Sequence, residues 1–202
     1  MAEELHDAAW NGDLDRVHAL LADGADPNVP ELDDTAFGWS PLMLAARKPG
    51  VMKALLAAGA DPAYATPSGE LVAMAVARIG TPEGLRLLQA AGADLRATDR
   101  AGNNALMEAA GAGNRDTVAF LLDQGLGVDD TTHDGGTALM AAAEAGEAEV
   151  TRQLLAAGAD PRRRLRTGTR ADRTAIDLAA EHGHATVVEL LASQPPGVAG
   201  DP

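Results

Sequence analysis

The feature that most constrains the fold is a short segment that recurs along the chain. It reads Leu20-Leu21-Ala22-Asp23-Gly24-Ala25-Asp26-Pro27, and it returns with few changes at residues 55–62 and 154–161. Weaker copies surround two further glycines. The five glycines are 35, 33, 33 and 33 residues apart, at Gly24, Gly59, Gly92, Gly125 and Gly158. Near-equal spacing of this length is typical of a solenoid, in which one structural unit is repeated and stacked.

Each part of the recurring segment has a physical reason. A leucine pair that closes an apolar helical pattern, followed by a short polar step and glycine, predicts a helix C-terminus. Glycine closes the last helical turn because it adopts the left-handed conformation without a side-chain penalty. A proline just beyond prevents the helix from continuing and favours an extended residue before it.

A second recurring feature, a pair of small residues, lies upstream of each leucine pair. The pairs are Ala8-Ala9, Ala45-Ala46, Val76-Ala77, Ala109-Ala110, Ala142-Ala143 and Ala179-Ala180. A glycine follows three residues later in five copies, and Pro49-Gly50 is the expected break in the other. Each unit is therefore predicted to be helix, turn, helix and glycine stop. The units span about residues 3–29, 30–65, 66–98, 99–131, 132–164 and 165–193 of a single domain, before a tail at 194–202 that we expect to be disordered.

These motifs resemble those of the ankyrin-repeat family. The run Ser40-Pro41-Leu42-Met43-Leu44-Ala45-Ala46 is similar to the family's helix start, Thr-Pro-Leu-His-x-Ala-Ala, and residues 137–143 and 174–180 match it more loosely. His6 and the terminal Gly-Ala-Asp also match. The sequence departs where the family usually has histidine, at Met43, Met74, Met107, Met140 and Asp177. The resemblance implies an all-α ankyrin-repeat solenoid of about six helix–turn–helix units with short β-turn or finger loops.

Composition excludes several classes of function. A net charge of −14 argues against a general affinity for nucleic acid and favours solubility. The chain has no cysteine, so we expect neither disulfides nor thiol chemistry. The acidic start, Met1 to Glu4, does not resemble a signal peptide, and no apolar run approaches the roughly 18 residues of a membrane span. The expected location is the cytoplasm.

The helix starts and connections differ among the repeats. Ser40 is predicted to cap its helix with Pro41 at the first helical position, and Thr81 to cap the second helix of repeat three. The first helix of that repeat has Leu71 where a capping hydroxyl is expected. The connection over residues 30–39 is long, and a second insertion spans Arg162 to Arg173.

Motifs that could support catalysis are weak. Gly38-Trp39-Ser40 begins like a nucleophile elbow, but Leu42 stands at the second glycine position and Ser40 is explained as a cap. His182-Gly183-His184 suggests a metal pair, yet it matches the family's Gly-His turn and no third ligand clusters with it. Gly111-Ala112-Gly113 follows a predicted helix, whereas a dinucleotide loop follows a strand. We expect no enzyme activity, no metal site and no cofactor.

Aromatic residues are few and unevenly placed. Only five occur, and Trp10, Phe37, Trp39 and Tyr64 lie in the first third of the chain. The resemblance implies that these positions line the concave surface on which the family binds its partners. One interpretation is that the rings anchor a partner, since large rings often dominate binding energy. The other is that Trp10 and Trp39 fill the gap left by the long first finger. Phe120 is expected in the core.

Basic residues concentrate in the second insertion. Its arginines are Arg162, Arg163, Arg164, Arg166, Arg170 and Arg173, and with Asp172 they give the segment a net charge of +5 against −19 for the rest. In one interpretation this is a solvated finger whose arginines pair with the acidic body, each pair contributing little. In the other it docks an acidic or phosphate-bearing surface, because a guanidinium binds carboxylates and phosphates in bidentate fashion.

The predicted function is that of a non-catalytic protein-interaction module that inhibits, stabilises or positions its partner. The expected partner is another protein with an acidic patch facing the arginine finger, while membranes and nucleic acid are disfavoured. The alternative is polyanion or nucleic-acid binding through residues 162–173. The candidate contacts, carried over from the family's finger and first-helix positions, are Trp10, Asn11, Phe37, Trp39, Arg47, Lys48, Glu70, Arg78, Arg100, Asn103, His133, Asp134, Glu144, Arg173, Glu181 and His182, with Arg162, Arg163, Arg164, Arg166 and Arg170 added by the finger.

Overall fold

The chain folds into successive pairs of short helices. The computed structural model describes residues 2–31 and 38–194, and this part of the chain contains twelve helices. The first helices of the pairs are α1 (Ala2–Asn11), α3 (Pro41–Leu44), α5 (Val72–Ile79), α7 (Ala105–Gly111), α9 (Ala138–Ala145) and α11 (Ala175–Glu181). The second helices are α2 (Leu14–Ala22), α4 (Pro49–Ala57), α6 (Pro82–Ala90), α8 (Arg115–Asp123), α10 (Ala148–Ala156) and α12 (Ala185–Ala192).

The pairs stack into two layers. Each first helix contacts the first helix of the next pair, and each second helix contacts the next second helix. Small side chains make this close stacking possible, since the small-residue doublets of the first five first helices are all buried. Phe120, on α8, is 8% exposed and lies in the core as predicted. The six-unit helical solenoid expected from the repeats is confirmed.

The recurring Leu-Leu…Gly segment ends the second helices as predicted. The terminal glycines have φ between 80° and 97°, which is the left-handed region. In the first copy the Ala25 N–H donates to the Leu20 carbonyl at 2.9 Å, and the Gly24 N–H donates to the Leu21 carbonyl at 3.1 Å. This is the Schellman arrangement, which pairs the last carbonyls of the helix. The copy at 154–159 has the same bonds.

The fingers are closed by one recurring backbone hydrogen bond. In the three short fingers the donor and acceptor are four residues apart: Thr66 to Glu70, Asp99 to Asn103, and Thr132 to Gly136, at 2.9 to 3.0 Å. In the two long fingers they are eight apart, from Glu31 to Trp39 and from Leu165 to Arg173. Both insertions therefore add four residues inside the same hydrogen-bonded turn and leave the helices in register.

The predicted helix caps hold, with one correction between α3 and α4. Ser40 accepts a hydrogen bond from the Met43 N–H, Thr81 accepts one from the Gly84 N–H, and Leu71 provides no side-chain cap. Pro49-Gly50 is not the break in repeat two. These residues form the first turn of α4, because proline is tolerated at a first helical position, and the chain turns before it, at Ala45 to Lys48.

The residues that replace the family's histidines serve the core or a cap. Met43, Met74, Met107 and Met140 are at most 6% exposed. Asp177 accepts hydrogen bonds from the Thr174 N–H at 2.9 Å and from its hydroxyl at 2.7 Å, and these bonds lower the pKa of Asp177. His6 keeps a ring hydrogen bond to the Val29 carbonyl at 2.6 Å. None of the helices in the described ranges has the length and apolar character needed to cross a bilayer.

Candidate partner-binding surface

The first helices and the fingers share one face of the stack, which we call the finger–first-helix face. It comprises α1, α3, α5, α7, α9 and α11 with the turns at 38–40, 66–70, 99–103, 132–136 and 165–173. The residue after each small-residue doublet forms its ridge, and all six are at least partly exposed: Trp10, Arg47, Arg78, Gly111, Glu144 and Glu181. The ridge therefore changes from aromatic to basic to acidic along a scaffold that otherwise repeats.

Four side chains form a bonded chain across three repeats of this face. The Trp39 indole N–H donates to Glu70 Oε2 at 3.0 Å, and Arg78 Nη2 donates to Glu70 Oε1 at 2.5 Å. Arg78 Nε lies 3.3 Å from Glu108 Oε2. The Arg78 guanidinium carbon also lies 5.5 Å from the centroid of the Trp39 ring, within cation–π range. These contacts fix the four groups relative to one another.

Glu108 is a member of this chain that the sequence did not reveal. Burial raises the pKa of Glu108, the Arg78 guanidinium opposes part of that rise, and Glu70 and Asp99 add to it. The residue precedes the alanine doublet of α7, where the other described repeats have aspartate, leucine or alanine. The unusual residue type at this position was the one signal that the sequence offered for Glu108. Nothing in the sequence showed that the Arg78 side chain reaches it.

The described aromatic candidates have different environments. Trp39 is partly buried against the core and uses its N–H, so it fills space and holds Glu70 in place. Tyr64 is also partly buried, and its hydroxyl donates to a carbonyl of the first finger at 2.7 Å. Trp10 is 59% exposed. Phe37 lies outside the described residues.

Three arginines of the finger are paired with acidic side chains. Both terminal nitrogens of Arg170 lie 2.7 Å from Glu144 Oε1. Arg173 is bonded to Glu181. Arg163 Nε lies 3.8 Å from Asp129 Oδ2. These contacts support the interpretation in which the finger pairs with the acidic body.

Arg164 and Arg166 have different environments. Arg164 Nη1 donates to the backbone carbonyl of Asp172 at 2.7 Å. The Arg166 side chain is exposed and has no ion pair with any described residue, while its N–H donates to the Asp134 carbonyl at 2.6 Å. Arg162 is exposed. Docking of an acidic partner on this finger stays a prediction.

The remaining predicted contacts brace neighbouring repeats, bond within their own finger or are exposed. Arg47 Nε donates to the Ile79 carbonyl at 2.6 Å, and Arg100 Nη1 donates to the Pro67 carbonyl at 3.2 Å. Asn103 donates to Asp99 within its own finger at 2.8 Å. The candidates whose side chains are exposed include Asn11, Lys48, His133, Asp134 and His182.

The two histidines of the turn between α11 and α12 are bonded to backbone carbonyls. His182 Nδ1 lies 3.0 Å from the Leu178 carbonyl, and His184 Nε2 lies 3.0 Å from the Glu144 carbonyl. The rings stack with centroids 6.2 Å apart. Across residues 2–31 and 38–194, no three histidine or acidic side chains form a group suited to a metal ion.

Comparisons with known proteins agree with this geometry. A family model described as ankyrin repeats (three copies) matches residues 5–99, 73–164 and 128–199. The crystal structure of the human ASB11 ankyrin repeat domain is similar to the chain with a TM-score of 0.80 and 23% sequence identity, and the match covers 97% of this chain and 85% of that one. At that identity the similarity shows the fold. No curated protein matches the chain.

Proposed function

Because the chain belongs to the ankyrin-repeat family, we propose that it is a non-catalytic module that binds a partner protein on its finger–first-helix face. Ankyrin repeats are generally protein-interaction modules, and their stacked units provide an extended binding surface. Binding inhibits, stabilises or positions the partner, depending on which of the partner's own surfaces is covered. The cytoplasmic location expected from the sequence remains a prediction.

One observation supports this face above all. The doublets of the first five repeats are buried, whereas the residue after each doublet is at least partly exposed and varies among tryptophan, arginine, glycine and glutamate. Packing accounts for the residues that repeat. It does not require an exposed tryptophan at position 10, a basic group at Arg47 and an acidic one at Glu181, and such exposed chemical variety is what a specific interface uses.

We propose two kinds of contact on the face. Trp10 is the aromatic anchor at the N-terminal end, since it is 59% exposed. The Trp39, Glu70, Arg78 and Glu108 side chains form a pre-ordered centre, because their mutual bonds reduce the conformational entropy lost on binding. Phe37 is retained as a candidate from its sequence position alone.

The test compares matched variants in capture from an extract of the native cell. The face variant carries Trp10→Ala and Arg47→Ala, and the control carries Arg86→Ala and Arg152→Ala on the second helices α6 and α10. Both control arginines are exposed and pair with a glutamate three residues away, and the Arg86 guanidinium also lies 4.9 Å from the centroid of the Phe120 ring. Proteins captured by the wild type should be lost with the face variant and kept with the control. Equal capture by both variants, each confirmed to be folded by circular dichroism, would refute the proposal.

Within the same experiment, Trp39→Ala tests the centre of the face. Removal of a large ring that contacts a partner typically costs about 2 kcal/mol or more of binding free energy. Because Trp39 also packs on the core, its variant must be compared with the wild type at a temperature where both are folded. Unchanged affinity for a captured partner would remove Trp39 from the interface.

The polyanion alternative is less well supported. Arg163, Arg170 and Arg173 are engaged by carboxylates of the body, which leaves fewer guanidinium groups available for phosphates. The acidic remainder of the chain also repels a polyanion beyond the finger. A mobility-shift assay with nucleic acid at two salt concentrations separates the alternatives, because phosphate binding weakens steeply with salt.

A further inference from the structure

A cavity of about 410 Å³ lies beneath the last finger. Its floor includes Met107, Met140 and Leu178, from three successive first helices. Its roof is the loop at 167–170, which belongs to the four-residue insertion and has no counterpart in the three short fingers. The insertion thus adds Thr167 to Arg170 to the lining of a cavity that stays open to solvent on one side and has apolar side chains opposite them.

Two carboxylates line this cavity. Asp134 accepts a hydrogen bond from the Thr132 hydroxyl at 2.5 Å, which lowers the pKa of Asp134 and keeps it ionised. Glu144 Oε1 accepts hydrogen bonds from both terminal nitrogens of Arg170, each at 2.7 Å. Arg170 is the one arginine among the described residues that line the cavity, and its guanidinium is bonded to Glu144. The His182 ring, with Nε2 3.9 Å from Glu144, adds positive charge only when it is protonated.

This combination selects a side chain with an apolar stem and a cationic end. Methionine side chains adapt to the shape of a flexible stem, and a guanidinium forms paired hydrogen bonds with carboxylates. Within the molecule, both terminal nitrogens of Arg170 already bind one oxygen of Glu144 beside the cavity. A second guanidinium would meet the Asp134 carboxylate, whose present neighbours are the Thr132 hydroxyl, the Gly136 N–H and the adjacent His133.

We propose that the cavity binds an arginine side chain of the partner protein, with Asp134 and Glu144 holding the guanidinium and Met107 and Met140 contacting the stem. The proposal rests on the proposed function and names the chemistry that this face recognises. Arg170 acts as an internal competitor for Glu144, so binding requires the Arg170–Glu144 pair to open or to share its carboxylate.

The test uses a small probe and the methyl NMR signals of the full chain. Nα-acetyl-argininamide is titrated into protein with ¹³C-labelled methionine methyl groups. The signals of Met107 and Met140 should shift, whereas those of Met43 and Met52, fully buried in repeat two, should not. The citrulline analogue, which has the same shape without the charge, should cause no comparable shift.

Three variants and one control define the role of each charged group. Arg170→Ala should tighten probe binding by up to about fivefold, the equivalent of an exposed ion pair. Glu144→Gln and Asp134→Asn should each weaken it about tenfold, since each removes a charge-assisted hydrogen-bond acceptor. Glu181 occupies the ridge position of the next repeat and does not line the cavity. Glu181→Gln should therefore leave the affinity for the probe unchanged.

The opposite results would overturn the proposal. Equal shifts with citrulline, absence of shifts at Met107 and Met140 in both the wild type and Arg170→Ala, or unchanged affinity in Glu144→Gln would each do so. Such a failure is distinct from failure of the proposed function. The face variant would still lose its captured partner while the second-helix control kept it, which would show that the face binds by other chemistry.

Discussion

Asp172 occupies in the last finger the position that Gly135 occupies in the finger before it. Both residues lie two positions before the helix N-cap, and both have positive φ, 66° for Asp172 and 92° for Gly135. Asp172 is the one non-glycine residue with this conformation in the described part of the chain. The long finger therefore keeps the turn geometry of the short ones while carrying a residue that the geometry disfavours.

We predict that Asp172→Gly stabilises the protein by about 0.5 kcal/mol, because relief of the left-handed strain exceeds the extra entropy of glycine in the unfolded chain. Asp172→Ala should instead destabilise it by about 1 kcal/mol, since alanine tolerates this conformation less well than aspartate. Urea unfolding of the three proteins measures both differences. A glycine variant less stable than the wild type would contradict the assignment of strain.

A ladder of side chains joins successive helix-end turns, and one step is missing. Asn28 accepts from the Asp61 N–H at 2.7 Å and donates to the Gly59 carbonyl at 3.0 Å. Arg96 and Asp129, at the equivalent positions of later repeats, also reach the next turn. Ala63 occupies the equivalent position after Gly59, but its side chain is too short to reach the next turn. We predict that Ala63→Asn raises the free energy of unfolding by about 1 kcal/mol and that Asn28→Ala lowers it by a similar amount.

Thermal and urea unfolding of the two ladder variants check this prediction. The pair is informative because one variant adds the bridge and the other removes it. If Ala63→Asn fails to stabilise while Asn28→Ala destabilises, the turn after α4 cannot accept the bridge. If neither variant changes the free energy of unfolding, the ladder does not contribute to stability.

Thr151 has a hydroxyl that is fully buried without a hydrogen-bond partner among the described residues. The equivalent residue of the preceding repeat is Val118, which is also fully buried. We predict that Thr151→Val stabilises the fold by about 1 kcal/mol, because an unpaired buried hydroxyl is costly. The same substitution at Thr137, whose hydroxyl caps α9, should destabilise by about 1 kcal/mol. Destabilisation by Thr151→Val, as expected for Thr137→Val, would show that the hydroxyl of Thr151 is paired.

The raised pKa of Glu108 predicts how the stability of the protein changes with pH. Its pKa is raised in the folded protein, so the folded state holds its proton more tightly than the unfolded state does. Stability therefore falls as pH rises from the ordinary glutamate range through the raised value, and stays lower above it. Glu108→Gln should stabilise the protein at pH 7 and have a smaller effect near pH 4. Urea unfolding of Glu108→Gln and the wild type at both pH values tests this. A larger gain in stability at pH 4 than at pH 7 would contradict a raised pKa of Glu108.

The sequence was sufficient for the repeat architecture because packing and turn constraints act locally. The glycine spacing located the helix ends, and the alanine doublets located the buried face of the first helices. The longer doublet spacing also revealed the two long fingers. The break before α4 was misplaced because Pro49 both ends and begins helices, and the sequence alone does not decide which.

The chemistry of the face could not be predicted in the same way. Arg170 and Glu144 are 26 residues apart, and Arg78 reaches Glu108 from a different repeat. Such pairs depend on side-chain reach between stacked modules, which repeat spacing does not report. The cavity beneath the last finger likewise depends on how the four inserted residues fold back over Met107 and Met140.

The most direct test of the central claim is hydrogen–deuterium exchange of the chain with and without a partner purified by capture. We expect protection at the finger turns 66–70, 99–103 and 132–136 and along the neighbouring first helices, with little change along α4, α6, α8 and α10. Protection confined to those second helices, with the fingers unchanged, would contradict the assignment of the finger–first-helix face as the binding surface.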